Sequence, residues 1–469
     1  MKLTKTPFLS LLLLGSITLG AQEEATKSVK YRRSSLHLMM IEDAVMPNAN
    51  VIKNTFIKSK LPDKYNDHSL PTRSFIADKY KLTAEEKAAT GAKADSKGKS
   101  MMKGMAKGVA SSATGGLIDT TNTKDLPLVI EKYLNTNNVA KDMVAKWYNR
   151  DSKGAFDSKL IIERGEYDAS AIDKNVANAS SRGSSALSDA ADELIGNTFV
   201  VVTRFNYISK KEVYEAAQAA LNAAKSTGLV KAPTIPLTPE MQAIKDAAIK
   251  KATEGYIVQS TSYLFQLNWT PEVEATFNQF MYTEKDQIKD NQEIKFDPKK
   301  KFAFDTTKIF TFKYIGDGKA LAQVPMSLKK KRSEEELIAI ATRNASEASI
   351  AKLQRDYEVF KTKTPLYSGN PITAKIGMKE GIEAGDKFEV LEQNQDPKTG
   401  KLIYKKVGKI KVMEGMVWDN TEKLDDEVVE NTPALDKDGK PLPPKPILDR
   451  TTFKGGSKFY SGLLIRQVK

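Results

Sequence analysis

The sequence contains no cysteine, and its only histidines are His37 and His68. Without cysteine the chain can form no disulfide, no thiolate zinc site, no iron–sulfur cluster and no covalent haem, and it has no cysteine nucleophile. With two histidines, metal sites that need several imidazole ligands and catalysis by repeated histidine acid–base steps are nearly excluded. These absences remove much of metal, redox and nucleophilic chemistry before any motif is considered.

Long hydrophobic runs are missing from all but the first residues of the chain. Segment 1–21 combines a basic start of two lysines, an apolar stretch over 8–19 and the small residues Gly20 and Ala21. This pattern predicts a secretory signal peptide cleaved near Gly20 or Ala21, because the apolar stretch is too short for a membrane anchor. No later segment approaches the ~18 continuous apolar residues of a transmembrane helix.

A signal peptide together with the lack of cysteine predicts a bacterial cell-envelope location. Disulfides are frequent in eukaryotic secreted proteins, so a cysteine-free exported chain is more typical of bacteria. Lipid attachment at an N-terminal cysteine is excluded for the same reason. We therefore expect an exported, non-lipidated protein of the periplasm or one associated with the outer membrane.

The overall charge is positive and its excess is spread along the chain. There are 73 Lys+Arg against 59 Asp+Glu, which gives a formal net charge of +14 that falls to +12 without the signal peptide. A basic surface in the envelope favours contact with an anionic membrane, peptidoglycan or acidic polysaccharide. We expect no nucleic-acid partner, because the chain is exported and shows no RNP-like or helix-turn-helix signal.

Residues 30–358 predict a mixed α/β sheet-and-helix domain. A short apolar run at 34–46 reads as a buried strand, and His37 within it is expected to be a satisfied core residue. The β-branched and aromatic run at 199–208 is the clearest strand, and another is predicted at 256–269. With 40% hydrophobic residues, the chain has enough apolar side chains for a sizeable core.

The second half of this domain predicts a hairpin followed by a long helix. Two strands are expected near 302–315 and 319–326, joined by a Gly-Asp-Gly turn at 316–318. Ser333 and the glutamate three residues later form a capping box that opens an alanine-rich helix at 334–359. The small residues of this helix favour close packing on a sheet.

Two segments are predicted to lie at the surface. His68 falls in a loop rich in proline, asparagine and aspartate and is expected to be exposed. Residues 84–118 are dominated by Ala, Gly, Lys, Ser and Met, and we interpret them as a flexible insertion that serves as a linker or lid. A membrane-surface segment is the alternative for this insertion.

The chain changes character in its last part. Short alternating strands separated by turns about every ten residues over 360–469 predict a small C-terminal antiparallel β-barrel. The fold class expected for the whole chain is therefore α+β, with the mixed domain followed by the barrel.

No motif assigns a chemical activity. Walker A, G-x-G-x-x-G, H-E-x-x-H and G-x-S-x-G patterns are all missing. Asp436, Asp438 and Gly439 resemble the start of a calcium loop, but a hairpin turn is the favoured interpretation. The cation run at 329–332 is interpreted as a solvated helix entry. We therefore assign no catalytic, cofactor-binding or metal-ligating residue and expect no cofactor.

The order of elements resembles that of known envelope families. The pattern at 381–390, followed by Val-Gly-x-Ile-x-Val at 407–412, resembles the C-terminal β-barrel of the flagellar assembly protein T family. Upstream, the strand that ends at Asp43, the segment that ends at Arg164 and the strand at 199–202 resemble the periplasmic α/β domain of that family and of the curli-secretion lipoproteins. The chain lacks the lipidated cysteine of the curli-secretion proteins and has no paired membrane-spanning hairpins, which argues against a pore.

The mature chain also resembles an uncharacterised exported family of Bacteroidetes. The runs at 146–150, 163–169 and 193–202 carry this resemblance, which implies no activity. We expect a non-enzymatic envelope protein, a structural or scaffolding subunit whose partners are envelope proteins or further copies of itself. The alternatives are a carboxylate-based hydrolase of cell-wall or glycan polymers and a binding module for acidic glycan or lipid.

Overall fold

The computed structural model of the protein describes residues 32–43, 46, 48–90, 125–167, 190–226, 238–253, 255–285, 287–289, 292–294, 296–323, 332–395, 402–421 and 447–468. Helices occur together with a mixed six-stranded sheet, a seven-stranded antiparallel sheet and a two-stranded ribbon, so the α+β class is confirmed. The predicted signal peptide and most of the predicted insertion, from residue 91 to its end, lie outside the described residues.

The mixed sheet is built from six strands of the first two thirds of the chain. They are β1 (Ser35–Ile41), β2 (Asn66–Asp67), β3 (Ser74–Phe75), β4 (Thr198–Ser209), β5 (Tyr256–Leu267) and β8 (Phe312–Gln323). The main order is β2, β1, β4, β5, β8, and β3 also pairs with β1. β1 runs parallel to β2, β3 and β4, whereas β4, β5 and β8 are antiparallel. A ribbon of β6 (Gln287–Lys289) and β7 (Gln292–Ile294) lies apart from this sheet.

Eleven α-helices are found in the described part of the chain. The first six are α1 (Ala49–Lys58), α2 (Ala84–Thr90), α3 (Leu126–Thr136), α4 (Val139–Trp147), α5 (Lys159–Tyr167) and α6 (Ala190–Gly196). The others are α7 (Lys210–Ser226), α8 (Pro239–Thr253), α9 (Pro271–Phe280), α10 (Pro298–Thr306) and α11 (Glu334–Asp356). None of the described helices is both long and apolar enough to cross a membrane.

Two hydrophobic cores lie on the two faces of the mixed sheet, because successive side chains of a strand point to opposite faces. One face packs against α3, α4, α9 and α10 and is rich in aromatic rings. Its largest fully buried side chains include Trp147, Tyr263, Phe156, Phe265, Phe277 and Phe304. The other face packs against α1 and α11 through Leu36, Phe56, Phe199, Phe205, Val258 and Leu264. The sheet is therefore covered on both sides.

Helix α11 begins and packs as the sequence predicts. The Ser333 hydroxyl accepts from the Glu336 N–H at 3.2 Å, and the Glu336 carboxylate accepts from the Ser333 N–H at 2.9 Å. Ala341 and Ala345 are fully buried against the sheet, and small side chains at these positions let the helix approach closely. The capping box and the packing role of the alanines are confirmed.

The predicted hairpin around Gly316 is wrong, because β8 is one strand that pairs with β5 from end to end through a single bulge. A Cβ on Gly316 would lie 2.2 Å from the Tyr357 hydroxyl, and a Cβ on Gly318 would lie 3.2 Å from the Leu353 side chain. Both glycines therefore permit the close approach of α11 and of the chain after it. They do not form a turn.

The strand predicted at 302–315 is also wrong over its first part. Residues 298–306 form α10, which begins at Asp297, whose carboxylate accepts from the Lys299 N–H at 2.8 Å. Pro298 occupies the first helical position, where its missing N–H costs nothing. This aspartate–proline start was the signal for a helix in the sequence.

The last part of the chain forms a curled seven-stranded antiparallel sheet. Its strands are β9 (Thr364–Pro365), β10 (Ser368–Gly369), β11 (Ile372–Ala374), β12 (Lys387–Gln395), β13 (Leu402–Val412), β14 (Thr451–Lys454) and β15 (Leu464–Val468), in the order β10, β11, β14, β13, β12, β15, β9. The curl encloses its own core, which includes Phe388, Val390, Ile410, Val412, Phe453 and Ile465. The sheet is a half-barrel, and a closed barrel is not confirmed.

Polar contacts join this curled sheet to the mixed-sheet body. Glu193 of α6 accepts from Lys363 Nζ at 3.0 Å and from the Tyr404 hydroxyl at 3.1 Å. The same ammonium lies 3.8 Å from the centre of the Tyr404 ring. The carboxylate therefore holds two groups that belong to the C-terminal part of the chain.

Arg355 makes the second connection, at the end of α11. Its guanidinium donates to the Gly381 carbonyl from Nε at 2.9 Å and also from Nη2, and it pairs with Asp386 at 3.1 Å. Gly381 has a φ of 70°, and a Cβ there would lie 2.9 Å from the Ala351 Cβ. A glycine is therefore needed where the loop before β12 meets the helix.

Replacing Arg355 by leucine should loosen the loop that leads into β12. The substitution leaves the Asp386 carboxylate and the Gly381 carbonyl without their charged donor, which costs about 1–3 kcal/mol. Amide hydrogen exchange over residues 378–386 should become faster, whereas exchange in β4 should be unchanged. Arg355→Lys keeps the charge and should fall between the two; equal protection in all three proteins would contradict this role.

Candidate functional site

Both histidines are buried, so neither offers an accessible acid–base group. His37 is fully buried on the face of β1 that looks toward α4, which confirms the expectation for it. The expectation that His68 is exposed is wrong, because its ring is also fully buried and stacks on Trp147 at 4.6 Å between ring centres. The loop after β2 has a turn-forming sequence, but α4 covers it.

The surroundings of the two rings keep them neutral. Burial, followed by the nearby charge of Arg73, lowers the pKa of His37 to about 3. Burial also lowers the pKa of His68 to about 3, and the Arg164 guanidinium acts in the same direction. A Ser-His-Asp triad needs an imidazole that gains a proton near neutral pH, so these rings do not suit it.

The most buried carboxylates are held in structural contacts. Glu380 accepts from the Gly377 N–H at 2.7 Å and from the Asn420 side chain at 2.9 Å. Glu389 accepts from Arg466 Nε at 2.8 Å and lies 3.4 Å from Lys406 Nζ. No group of three or more histidine, aspartate or glutamate side chains that could hold a metal occurs in the described part of the chain.

A row of lysines crosses the outer face of the curled sheet. Lys387 on β12 is paired in register with Lys411 on β13, and Lys411 is paired in register with Lys454 on β14. Lys409 lies two residues before Lys411 and therefore on the same face. All four side chains are exposed. The neighbouring Phe388, Ile410 and Phe453 point the other way, into the enclosed core.

This lysine row is an unfavourable arrangement for the isolated sheet. Cross-strand neighbours lie about 5 Å apart at Cβ, and like charges directly opposite each other destabilise a sheet. None of the four lysines forms an ion pair with a described residue. The one acid opposite the row, Glu389 across from Lys409, is already committed to Arg466 and Lys406. An anionic ligand would relieve this repulsion.

Some other lysines of the C-terminal part of the chain are paired with acids, unlike the four of the row. Lys363 pairs with Glu193 at 3.0 Å, and Lys379 pairs with Glu347 at 3.3 Å. The lysine row is therefore a local concentration of charge on a single face, and it is our candidate functional site.

The sequence did not reveal this row. Its members come from three strands that are distant in the chain, between residues 387 and 454. The Lys-x-Lys alternation at 409–411 was the available signal, because it places two ammonium groups on one face of a strand. The other two members require the strand register, which the sequence alone does not supply.

Other residues singled out in the sequence are either outside the described part of the chain or lie in other surroundings. The calcium-like residues Asp436, Asp438 and Gly439 lie outside the described residues, as does the cation run before Arg332. Of the three tryptophans, Trp147 is in the core, Trp269 is partly buried beside β5, and Trp418 is partly buried near Gly377.

Comparisons with known proteins identify no family for this chain. A scan against protein-family models found no match, and a search of curated proteins found no significant match either. No relative therefore assigns a role to the lysine row.

Proposed function

We propose that this chain is a non-enzymatic exported protein of the bacterial envelope, a scaffolding subunit that attaches to an acidic glycan through the lysine row. The observation that carries the proposal is the register of Lys387, Lys411 and Lys454 across three adjacent strands, with Lys409 beside them. A line of exposed ammonium groups complements the repeated charges of a linear polyanion.

The two bodies and their contacts support a scaffolding role. The covered mixed sheet and the curled sheet each have their own core, and Glu193 and Arg355 connect them. In this proposal the curled sheet acts as the small antiparallel barrel that the turn spacing predicts. It presents the lysine row to the glycan, while the larger body is left for envelope partners or for further copies of the chain.

The signal peptide predicted at 1–21 supports an envelope location for this protein. Acidic polysaccharides and phosphorylated glycans are abundant there, so an exported protein meets the proposed ligand directly. The resemblance in element order to envelope-assembly families is consistent with this location. The mature net charge of +12 adds long-range attraction that is not specific to the site.

A pull-down on polysaccharide resins tests this attachment. The protein should bind polygalacturonate resin at low salt and should not bind neutral dextran resin. Replacing Lys387, Lys409, Lys411 and Lys454 by glutamine should lower retention at least tenfold, because it removes the whole row while the enclosed core stays intact. Phosphatidylglycerol vesicles form the membrane arm, and binding to them alone would contradict the glycan assignment.

The matched control removes the same charge from the other body. Lys58, Lys60, Lys153 and Lys319 are exposed and lie on the helices, loops and strand of the mixed-sheet body. Their fourfold replacement by glutamine changes the net charge equally and should leave retention nearly unchanged. Equal losses in the two variants would show that net charge, and not the row, causes the retention.

A further inference from the structure

An open groove of about 330 Å³ lies on the mixed-sheet body, away from the lysine row. It is found where α6 ends, β5 ends and β8 begins, and its lining includes Glu193, Asn197, Gln266, Asn268, Trp269 and Lys313. Gln266 and Lys313 are paired in register on neighbouring strands, so their side chains lie on the same face. The lining also includes Gly196 and Leu267, so it combines polar and apolar surface.

The carboxamide groups of the groove are fixed by bonds that use their nitrogen atoms. Gln266 Nε2 donates to the Gly196 carbonyl at 2.8 Å, and Asn197 Nδ2 donates to the Arg33 carbonyl at 3.2 Å. Their side-chain oxygens accept no hydrogen bond from the described residues. Each amide therefore presents an oriented acceptor that is held in place before any ligand arrives.

The remaining polar groups add a carboxylate and an ammonium. Glu193 holds Lys363 and Tyr404, yet its side chain is still 27% exposed. Lys313 is exposed and forms no ion pair with a described residue. The lining thus combines several hydrogen-bond acceptors with one strong donor. A ligand with neighbouring hydroxyl groups can bond to all of them, because each hydroxyl both donates and accepts.

Trp269 gives the groove its apolar element. Its ring is stabilised by Phe277 and Phe310, whose ring centres lie 5.9 Å and 6.3 Å away. Its Nε1 is buried and has no hydrogen-bond partner in the described part of the chain. A rigid indole beside oriented acceptors matches a ligand with an apolar face and a polar edge.

We propose that this groove binds one saccharide unit, with Gln266, Asn268 and Asn197 accepting from its hydroxyl groups and Lys313 donating to them. A sugar ring has hydroxyls that both donate and accept, and its C–H face suits an indole. The volume fits one ring or two, and pockets of this size are at the lower end of those that hold small molecules. The proposal is independent of the lysine row, which faces solvent on the other body.

Calorimetric titration with single sugars tests the groove. The full mature chain should bind at least one of galactose, N-acetylglucosamine and glucose with a Kd of about 1 mM, because so small a ligand makes few contacts. Lys313→Met and Asn268→Ala should each weaken binding at least fivefold. Lys319→Met, on the same strand but outside the groove, should bind as the unmodified protein does.

Two outcomes would overturn the assignment. If none of the three sugars gives a heat signal at a sugar concentration 20-fold above the expected Kd of ~1 mM, the groove does not bind a saccharide. If glycine or glutamate binds instead and Lys313→Met abolishes it, the pair of Glu193 and Lys313 recognises a zwitterion. The fourfold lysine-row variant should keep full sugar binding, which separates failure here from failure of the glycan attachment.

Discussion

Acidification from pH 7 to pH 4 should lower the free energy of unfolding by up to about 3 kcal/mol for each of the two histidines. The pKa of both rings is lowered to about 3 in the folded protein, against about 6.5 in an unfolded chain. The unfolded state therefore takes up protons first as the pH falls. Stability is complete above pH 6.5 and is lost progressively between pH 6.5 and pH 3.

Burial makes protonation of each ring costly, and the contacts of the rings show what a second proton would meet. His37 Nδ1 accepts from the Leu70 N–H at 3.3 Å, and a proton on that atom would end this bond. The His68 Nε2 atom lies 3.0 Å from the Met143 carbonyl, so it donates, and its Nδ1 faces Arg164 Nη1 at 3.2 Å. A second proton on His68 would meet a guanidinium at close range.

Charged groups near the two rings both raise and lower their pKa values, but the net shift of each pKa is downward. Arg73 and Lys146 disfavour a cationic His37, and Asp67 favours it. Arg164, Lys146 and His37 itself all disfavour a cationic His68. Burial is the largest contribution for both rings, so the neutral forms prevail.

Urea denaturation at half-unit steps from pH 7 to pH 5 measures this effect. In this range Asp67, Glu42 and Glu389 contribute little, because their pKa is lowered in the fold and lies at about 4 in an unfolded chain, so that they are ionised in both states. Burial raises the pKa of Glu131 and Asp142, which acts in the opposite direction to the histidines. His68→Phe retains a ring against Trp147 and should roughly halve the slope of stability against pH. A flat profile in the unmodified protein would show that the rings are accessible to protons in the fold.

Replacing Trp147 by alanine should destabilise the protein by about 3–5 kcal/mol. The indole is fully buried, and it is the largest fully buried side chain among the described residues. His68 stacks on it at 4.6 Å, and the Arg164 guanidinium also lies 4.6 Å from its ring centre. Alanine would leave a cavity at the point where α4, α5 and the loop after β2 meet.

The hydrogen bond of the indole can be separated from its packing. Trp147 Nε1 donates to the Thr198 hydroxyl at 2.9 Å, at the start of β4. Trp147→Phe and Thr198→Val should each cost about 1–2 kcal/mol, and the double variant should cost less than their sum. Guanidinium denaturation of the four proteins completes the cycle. Strict additivity would mean that the bond contributes nothing to stability.

Local sequence signals predicted the strands with continuous apolar runs and the helix that begins with a capping box. The apolar runs in β1 and β4 mark strands that are covered on both faces, and the capping box of Ser333 marks the start of α11. These signals depend on near neighbours in the chain. They were sufficient for the α+β class and for the buried position of His37.

The predictions that were wrong failed because contacts between residues distant in the chain decide the structure at those positions. Gly316 and Gly318 look like a turn, but Tyr357 and Leu353 lie against them, forty-one and thirty-five residues later. The sequence of the loop that contains His68 predicts exposure, but in the fold α4 covers this loop. The lysine row has the same origin, since its members share a face only after β12, β13 and β14 have paired.

The salt dependence of glycan binding tests the central claim most directly. Each lysine that contacts a polyanion releases about one counterion, so the logarithm of the affinity should fall with the logarithm of the salt concentration at a slope of about −3 to −4. Replacing Lys387, Lys409, Lys411 and Lys454 by glutamine should remove most of this slope and leave only the weak dependence that the remaining net charge causes. The control with Lys58, Lys60, Lys153 and Lys319 replaced should keep the original slope; a control as flat as the row variant would contradict the account.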